Sequence, residues 1–157
     1  MLVAYATIYR CGEMRNSKSV GRIIANIHKF SDMYINQELE SYKIGSSQLH
    51  FLNMLYQKDG INQEYLAHHL NKDKATSARA IKKLEEEGYV IRKRDDFDKR
   101  SYAIFLTKKS KDLMPVFRKI LREWTKSLLI NFSESEKKTL YSYLERISEN
   151  AERKVLK

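Results

Sequence analysis

The sequence has little of the chemistry that secreted proteins, membrane proteins and most enzymes need. Its 157 residues include one cysteine, so no disulfide can form within the chain. No run of about twenty apolar residues is present, which predicts no membrane span and no membrane partner. The first residues lack the long apolar core and small-residue cleavage site of a signal peptide. We therefore expect a cytoplasmic protein.

The chain also has few residues that interrupt regular structure, with one proline and five glycines. We find no flexible linker, repeat or low-complexity segment. Residues 17–157 are predicted to form a single domain, preceded by a leader of uncertain order over residues 1–16. Cys11 lies in this leader with Arg10 as its only adjacent cation, so we interpret it as a bystander thiol.

Catalytic and metal-binding motifs are missing as well. There is no Gly-rich phosphate loop, no Gly-x-Ser-x-Gly, no His-Glu-x-x-His and no cysteine pair, which argues against an enzyme or a cofactor. His68 and His69 are adjacent and point about 100° apart on a helix, so they cannot share a metal. His28 and His50 lie on different predicted helices. We therefore predict no metal site, and we interpret Glu85–Glu87 either as a solvated acidic face or as acids paired with Lys82 and Lys83.

Positive charge is abundant and unevenly distributed. The chain carries 30 Lys and Arg against 20 Asp and Glu, a net charge of +10. Residues 72–111 hold 13 of the basic residues and 7 of the acidic ones. A basic surplus concentrated in one segment is typical of a nucleic-acid interface.

The basic segment begins with the pattern of a helix-turn-helix. A first helix over 62–70 starts at Asn62, and a second over 74–87 starts after Asp73 and ends at Gly88. Ile81 and Leu84 face inward on the second helix. The side chains predicted to face outward, and to enter the major groove of DNA, are Lys74, Thr76, Ser77, Arg79 and Lys82 or Lys83.

A hairpin pattern follows the second helix. Residues 89–94 and 101–107 are rich in β-branched and aromatic side chains, and the polar segment between them contains turn-forming aspartates. We predict a wing of two or three strands. The fold class is therefore mainly α with a small β wing, a winged helix-turn-helix whose DNA-binding part spans 46–107. The first helix of that part, from about Ser46, is expected to be capped by Ser46 or Ser47.

Both ends of the chain carry apolar residues at helical spacing. The pattern predicts helices over 17–42 and within 108–157, the last opened by a capping box at Ser133–Glu136. Pro115 is expected to kink the helix that begins at Lys108 or to delay its start. These stripes exceed what one copy needs for its own core, so we predict that residues 17–42 and 108–157 are dimerisation helices. A monomeric helical layer remains the alternative.

The segment from Ile61 to Thr107 resembles the MarR/SlyA family of dimeric regulators. The family pattern is roughly Thr-Arg-x-x-x-x-Leu-Glu-x-x-Gly-Leu-Val-x-Arg, then Asp-Arg-Arg, then Leu-Thr. This sequence has Arg79, Leu84-Glu85, Gly88-Tyr89-Val90, Arg92, Asp98-Lys99-Arg100 and Leu106-Thr107 without a gap. It departs from the family at Ala78, Lys99 and Asp95–Phe97.

The resemblance implies roles for particular residues. Arg100 would enter the minor groove, and Asp98 would hold the wing in shape by an ion pair with Arg92 or Arg100. As alternatives, Arg92, Lys93 and Arg94 would be solvated strand residues, and Asp98 would be only a turn former. The candidate DNA-binding residues are Lys74, Thr76, Ser77, Arg79, Lys82, Arg92, Arg94, Asp98, Lys99 and Arg100.

The resemblance also implies a small aromatic or phenolic effector in a cleft between the dimer helices and the winged part. Residues of the first two helices that could line this cleft are His28, Phe30, Met33, Tyr34, Phe51 and Met54, with ordinary core packing as the alternative for each.

These features predict a sequence-specific transcriptional regulator of double-stranded DNA. It would be a ligand-responsive repressor acting as a homodimer on a pseudo-palindromic operator. The alternatives are a winged-helix protein-interaction module and a non-specific nucleic-acid binder that uses charge alone.

Overall fold

The computed structural model describes residues 19–94 and 101–156. Its helices are α1 (Val20–Glu38), α2 (Ser46–Gln57), α3 (Gln63–His69), α4 (Lys74–Glu86), α5 (Lys108–Leu128) and α6 (Glu134–Val155), with a short 3-10 helix at Glu40–Tyr42 between α1 and α2. Its strands are β1 (Ile61–Asn62), β2 (Val90–Arg94) and β3 (Tyr102–Leu106). The predicted fold class, mainly helical with a small β wing, is confirmed.

Three helix starts lie where side-chain caps predict them. The Asn62 side chain accepts a hydrogen bond from the backbone N–H of Glu64 at 2.8 Å and opens α3. The Asp73 carboxylate accepts one from the N–H of Thr76 at 2.8 Å and opens α4. Ser133 and Glu136 form the predicted capping box of α6. Each cap satisfies backbone donors that have no partner within the helix, so the local sequence fixes these boundaries.

The start of α2 differs from the prediction. Its N-cap is Gly45 rather than Ser46 or Ser47. The N–H of Gly45 donates to the side chain of Gln48 at 3.1 Å, and the N–H of Ser46 donates to Asn36 Oδ1 of α1 at 2.8 Å. Asn36 of α1 thus accepts a hydrogen bond at the start of α2, where a local serine was expected to cap the helix. The same bond fixes α1 against the start of α2.

Pro115 does not delay α5, which begins at Lys108 after the N-cap Thr107 and passes through the proline. The carbonyl that a proline at this position leaves without an N–H partner is that of Lys111. Lys111 and Pro115 are both exposed. The helix therefore continues because water can reach the backbone group that Pro115 leaves unpaired.

The strands form an antiparallel sheet in the order β1-β3-β2. Val90 pairs with Leu106, Arg92 with Ile104, and Arg94 with Tyr102. Because alternate residues of a strand point to the same side, these six residues share one face of the hairpin. Val90 and Ile104 are fully buried on that face, so it packs against the helical core near the base of the wing.

One hydrophobic core connects the winged part to the terminal helices. Leu52 and Leu55 of α2, Ile81 and Leu84 of α4 and Ile104 of β3 are all at most 1% exposed. Helix α1 contributes Ile35 and is followed by the buried C-cap Leu39, and α5 contributes Leu113, Phe117 and Ile120. The C-terminal half of α1 and the N-terminal half of α5 are therefore fixed to the winged part by their own side chains.

The rest of the terminal helices leaves large apolar side chains uncovered. No residue of α6 is buried. The exposed apolar residues of the terminal segments are Val20, Ile23, Ile24, Ile27, Phe30, Met33, Leu128, Ile130, Phe132, Tyr141, Tyr143, Leu144, Val155 and Leu156. Within the described part of the chain, none of the helices is both long enough and apolar enough to cross a bilayer.

Candidate nucleic-acid interface

Helix α4 presents a small, cationic outer face. Ser77, Ala80, Ile81 and Leu84 are buried. Lys74, Arg79 and Lys82 are exposed, and so are Ala75 and Ala78 between them. Small residues between long cations let the helix backbone approach a surface while the cations reach past it. This is the shape that entry into the major groove requires.

Two residues near the start of α4 are already joined. The guanidinium of Arg79 donates a hydrogen bond to Thr76 Oγ1 at 3.2 Å. Thr76 is half-buried, and Arg79 is exposed. The bond limits the rotamers of Arg79, so its remaining donors are directed outward at lower entropic cost.

The lysines of this face have only weak partners. Lys74 Nζ lies 3.1 Å from Glu64 Oε1, with the Lys74 side chain 87% exposed. Lys82 Nζ lies 3.6 Å from Glu86 Oε1, and both side chains are exposed. Exposed ion pairs of this kind contribute little to stability, so a polyanion can replace the carboxylates at small cost.

Ser77 does not face outward, contrary to the prediction. It is 1% exposed, and its hydroxyl has no hydrogen-bond partner among the described residues. Its position explains this, because Ser77, Ile81 and Leu84 are spaced by four and three residues and therefore share the buried face of α4. We remove Ser77 from the candidate DNA contacts.

The wing carries its arginines on the face that continues from the core. Arg92 and Arg94 lie on the same side of β2, and their guanidinium carbons are 4.8 Å and 5.6 Å from the centre of the Tyr102 ring. Arg94 is exposed, whereas Arg92 is half-buried and its Nη1 lies 3.8 Å from Glu85 Oε2 of α4. The predicted contacts Asp98, Lys99 and Arg100 lie outside the described residues.

A hydrogen-bonded junction at Tyr89 fixes the wing base and α4 to α5. The Tyr89 carbonyl accepts from the Thr107 backbone N–H and hydroxyl, both at 3.1 Å, and from the Ser110 hydroxyl. The Tyr89 hydroxyl donates to the carbonyl of Tyr42 at 3.0 Å. Gly88, with a φ of +73°, allows the chain to turn from α4 into this junction.

Tyr56 extends the same junction into α2. Its hydroxyl donates to the Ser110 carbonyl at 2.7 Å. Burial, together with the nearby Tyr89, raises the pKa of Tyr56 to about 12. Tyr56 therefore stays protonated and remains a donor at every pH at which the protein would be studied.

The six predicted ligand residues lie in different environments. His28, Phe30 and Met33 are exposed on α1, and Tyr34 is half-buried with its ring stacked on Trp124 at 5.3 Å. Phe51 is 1% exposed within the hydrophobic core, and Met54 packs against that core. The burial of Phe51 agrees with ordinary core packing, the alternative given for it above. The cleft described next is lined by none of the six residues.

A cleft does lie beside the Tyr89 junction, between the short 3-10 helix and the start of α5. Its volume is about 620 Å³. The residues that line it are Tyr42, Tyr89, Lys108, Lys109, Asp112, Leu113 and Val116. Lys109 Nζ donates a hydrogen bond to the carbonyl of Glu87 at 2.6 Å. Lys108, the other lysine of the cleft, has no hydrogen bond or ion pair within the described residues.

The sequence interpretation missed three features of this surface. Glu85 was assigned to a solvated acidic run, Tyr102 was given no role, and the exposed Ala75 and Ala78 were not recognised as the small residues of the outer face. The alternation of residues in β3 could have indicated the face on which Tyr102 lies, and the helical spacing of α4 could have indicated that Ala75 and Ala78 face outward. The approach of Glu85 to Arg92 depends on the packing of the wing on α4, which is a tertiary contact.

Comparison with known proteins agrees with this geometry. The model of the MarR family matches residues 44–102. The uncharacterised HTH-type transcriptional regulator YybA of Bacillus subtilis (strain 168) is 34% identical over 132 residues, covering 84% of this chain and 88% of that protein. The solved structure of a MarR transcriptional regulator from Methanosarcina mazei Go1 is 44% identical with a TM-score of 0.81, covering 85% of this chain and 96% of that one.

A solved complex with DNA is also similar. It contains a MarR family transcriptional regulator from Listeria monocytogenes with a 26mer DNA. That regulator is 30% identical to this chain with a TM-score of 0.75, and the match covers 85% of this chain and 89% of the other.

Proposed function

Since the chain belongs to the MarR family of transcriptional regulators, we propose that it binds a pseudo-palindromic operator in double-stranded DNA as a homodimer and represses transcription until an effector binds. The observation that carries this proposal is the outer face of α4. There Lys74, Arg79 and Lys82 stand beside exposed alanines, next to a wing that bears Arg94.

The homodimer is supported by the uncovered apolar stripe of α1. Val20, Ile23, Ile24 and Ile27 are between 42% and 55% exposed and lie on one side of the helix. An apolar surface of this extent on a single chain marks an interface. A twofold arrangement would place two α4 helices about one DNA turn apart, roughly 34 to 36 Å, so that each meets one half-site.

Repression would follow from occupancy of the promoter. An effector that prefers a dimer spacing unsuited to DNA would release the operator, and a coupling of about 1 to 3 kcal/mol is enough for such a response. The cleft beside Tyr89 supports the aromatic or phenolic acid that the family resemblance implies, because Tyr42, Leu113 and Val116 offer apolar surface and Lys108 offers a cation. The cleft also touches the junction that connects α5 to the wing.

This effector site makes a testable prediction with benzoate as the probe. Benzoate should raise the midpoint of thermal unfolding of the purified protein, because a ligand that binds the folded state stabilises it. Lys108→Ala should remove most of this effect, and Lys111→Ala, one turn further along α5 and outside the cleft, should not. An equal response of both variants, or no response of the native protein to benzoate, would exclude this cleft as a benzoate site.

The DNA-binding face makes a second prediction. Arg79→Ala should weaken operator binding by about 1 to 3 kcal/mol and relax the base preference at one position of each half-site, because a groove-facing arginine reads base edges. Binding is measured by titration of a labelled operator duplex at fixed, near-physiological salt.

Ser77→Ala is the matched control on the same helix. It removes a buried hydroxyl that has no partner, so operator affinity should stay unchanged and stability should stay equal or rise slightly. If Ser77→Ala weakened binding as much as Arg79→Ala, our orientation of α4 would be wrong. If Arg79→Ala had no effect on the base preference, a charge-only binder would explain the protein better.

A further inference from the structure

We infer that Arg92 acts as a positioning residue that, with Glu85 and Tyr102, fixes the wing to the recognition helix α4, and that it does not itself contact DNA. This inference rests on the proposed function, because it concerns how the two DNA-reading elements keep their spacing. It changes the role of Arg92, which the sequence resemblance grouped with the DNA contacts, and it gives roles to Glu85 and Tyr102, which had none.

The side chain of Arg92 is occupied on two sides. Its Nη1 lies 3.8 Å from Glu85 Oε2, and its guanidinium carbon lies 4.8 Å from the centre of the Tyr102 ring. The side chain is 30% exposed, and its Nε is buried without a hydrogen-bond partner within the described residues. With one side over an aromatic ring and another toward a carboxylate, the half-buried guanidinium of Arg92 presents less surface to a phosphate than the exposed Arg94 does.

The register of the hairpin explains why this contact reaches α4. Arg92 pairs with Ile104, and Ile104 is fully buried on the face of the sheet that packs against the helical core. Arg92 stands on that same face one step beyond Val90. It therefore points toward the C-terminal end of α4, where Glu85 is the residue that follows the buried Leu84.

Arg92 and Arg94 have different environments, which suit them to different roles. Arg94 is also over the Tyr102 ring, at 5.6 Å, but it is exposed and one step closer to the wing tip. Tyr102 thus separates a half-buried arginine that meets α4 from an exposed arginine that faces solvent. Arg92 lies two residues beyond Val90 at the base of the wing, so its contact with Glu85 limits the angle at which β2 leaves the core.

The substitution Glu85→Gln distinguishes a positioning role of Glu85 from that of a solvated acidic residue. If Glu85 were only a solvated acid, Glu85→Gln would remove a negative charge near DNA, strengthen binding to the operator and to random DNA alike, and leave the preference between them unchanged. If Glu85 positions the wing through Arg92, the same change should reduce the preference for the operator over random DNA by roughly two- to fivefold, the range of a half-exposed ion pair. Glu86→Gln is the matched control, because it makes the same charge change at the adjacent residue, where the carboxylate faces Lys82.

The geometry can be measured without DNA. Spin labels are attached at Ala78→Cys on α4 and at Lys93→Cys on β2, in a Cys11→Ser background, and the labelled protein is diluted with unlabelled protein. Pulsed electron paramagnetic resonance then measures the distance between the helix and the wing. We expect a narrow distance distribution in the parent, a broader one with Glu85→Gln or Arg92→Lys, and no change with Glu86→Gln. The Glu85→Gln and Arg92→Lys effects should be less than additive, because both remove the same contact.

The effect on DNA binding is measured with the duplex that the native protein enriches. For the parent and each variant, the affinity for this duplex is compared with the affinity for a scrambled duplex. Equal distance distributions for Glu85→Gln and Glu86→Gln, or an operator preference unchanged by Glu85→Gln, would overturn the positioning role. A native protein that prefers no duplex would instead overturn the proposed function, and the distance measurement would still decide whether Arg92 holds the wing.

Discussion

Replacing Ile27 by glutamate is expected to convert the dimer to monomers and to lower operator affinity by about 100-fold. Ile27 is 42% exposed in the single chain and lies among Ile23, Ile24 and Phe30 on the uncovered stripe of α1. A carboxylate placed there would be buried without a partner in a dimer but would remain hydrated in a monomer. The loss of affinity is large because a monomer engages one half-site, and the gain from simultaneous binding is lost.

Ala25→Glu provides the matched control for this result. It adds the same carboxylate two residues earlier, where α1 points about 200° away from the stripe, and Ala25 is also exposed. We expect a dimer with nearly native DNA binding. Sedimentation analysis measures the oligomeric state, and duplex titration measures the affinity. A dimeric Ile27→Glu variant, or a native protein that is already monomeric at micromolar concentration, would contradict the assignment of this interface.

Phe51→Ala is expected to lower the free energy of unfolding by about 3 to 5 kcal/mol, the loss typical of a large side chain removed from a packed core. Phe51 is 1% exposed and belongs to the hydrophobic core with Leu52, Leu55 and Leu84. Urea unfolding at a fixed protein concentration measures this loss, since dimerisation makes apparent stability depend on concentration.

The size of the Phe51 effect separates a core residue from a ligand residue. Phe51→Leu keeps most of the apolar volume and should lose much less stability than Phe51→Ala. A Phe51→Ala variant with native stability and a lost response to an aromatic acid would restore Phe51 to a ligand site and would contradict the packing described above.

The helix boundaries could be predicted because their causes are local. Asn62, Asp73 and Ser133 each cap a helix through backbone groups two or three residues away, and such contacts are visible in the sequence. Gly45 was missed as a cap because the side chain that satisfies the start of α2 belongs to Asn36, on another helix. Gln48, three residues after Gly45, is the one local contact of this cap, and the part made by Asn36 leaves no local pattern.

The errors at the candidate site have different physical causes. Ser77 was placed on the outer face by residue type, although its spacing from Ile81 and Leu84 puts it on the buried face. The burial of Ser77 could therefore have been predicted from the sequence, by giving its helical spacing more weight than its polar side chain. Glu85 and Tyr102 could not be assigned in the same way, because their meeting with Arg92 depends on the angle at which the wing packs on α4.

Phe51 illustrates a further limit of residue type. An aromatic side chain on a predicted helix suits a ligand cleft and a core equally well, since both are apolar. Which of the two it joins depends on what the neighbouring elements contribute. Here α2 packs against α4 and β3, and Phe51 belongs to the hydrophobic core that these elements share.

The central claim is sequence-specific binding by a dimer, and selection from a random duplex library at near-physiological salt tests it most directly. We predict that the native protein enriches an inverted repeat whose half-sites lie about one helical turn apart. We also predict that Arg100→Ala, at a position outside the described residues, loses this enrichment. Binding without any enriched sequence, or no binding at all, would contradict the account and would favour a charge-only nucleic-acid binder or a protein-interaction module.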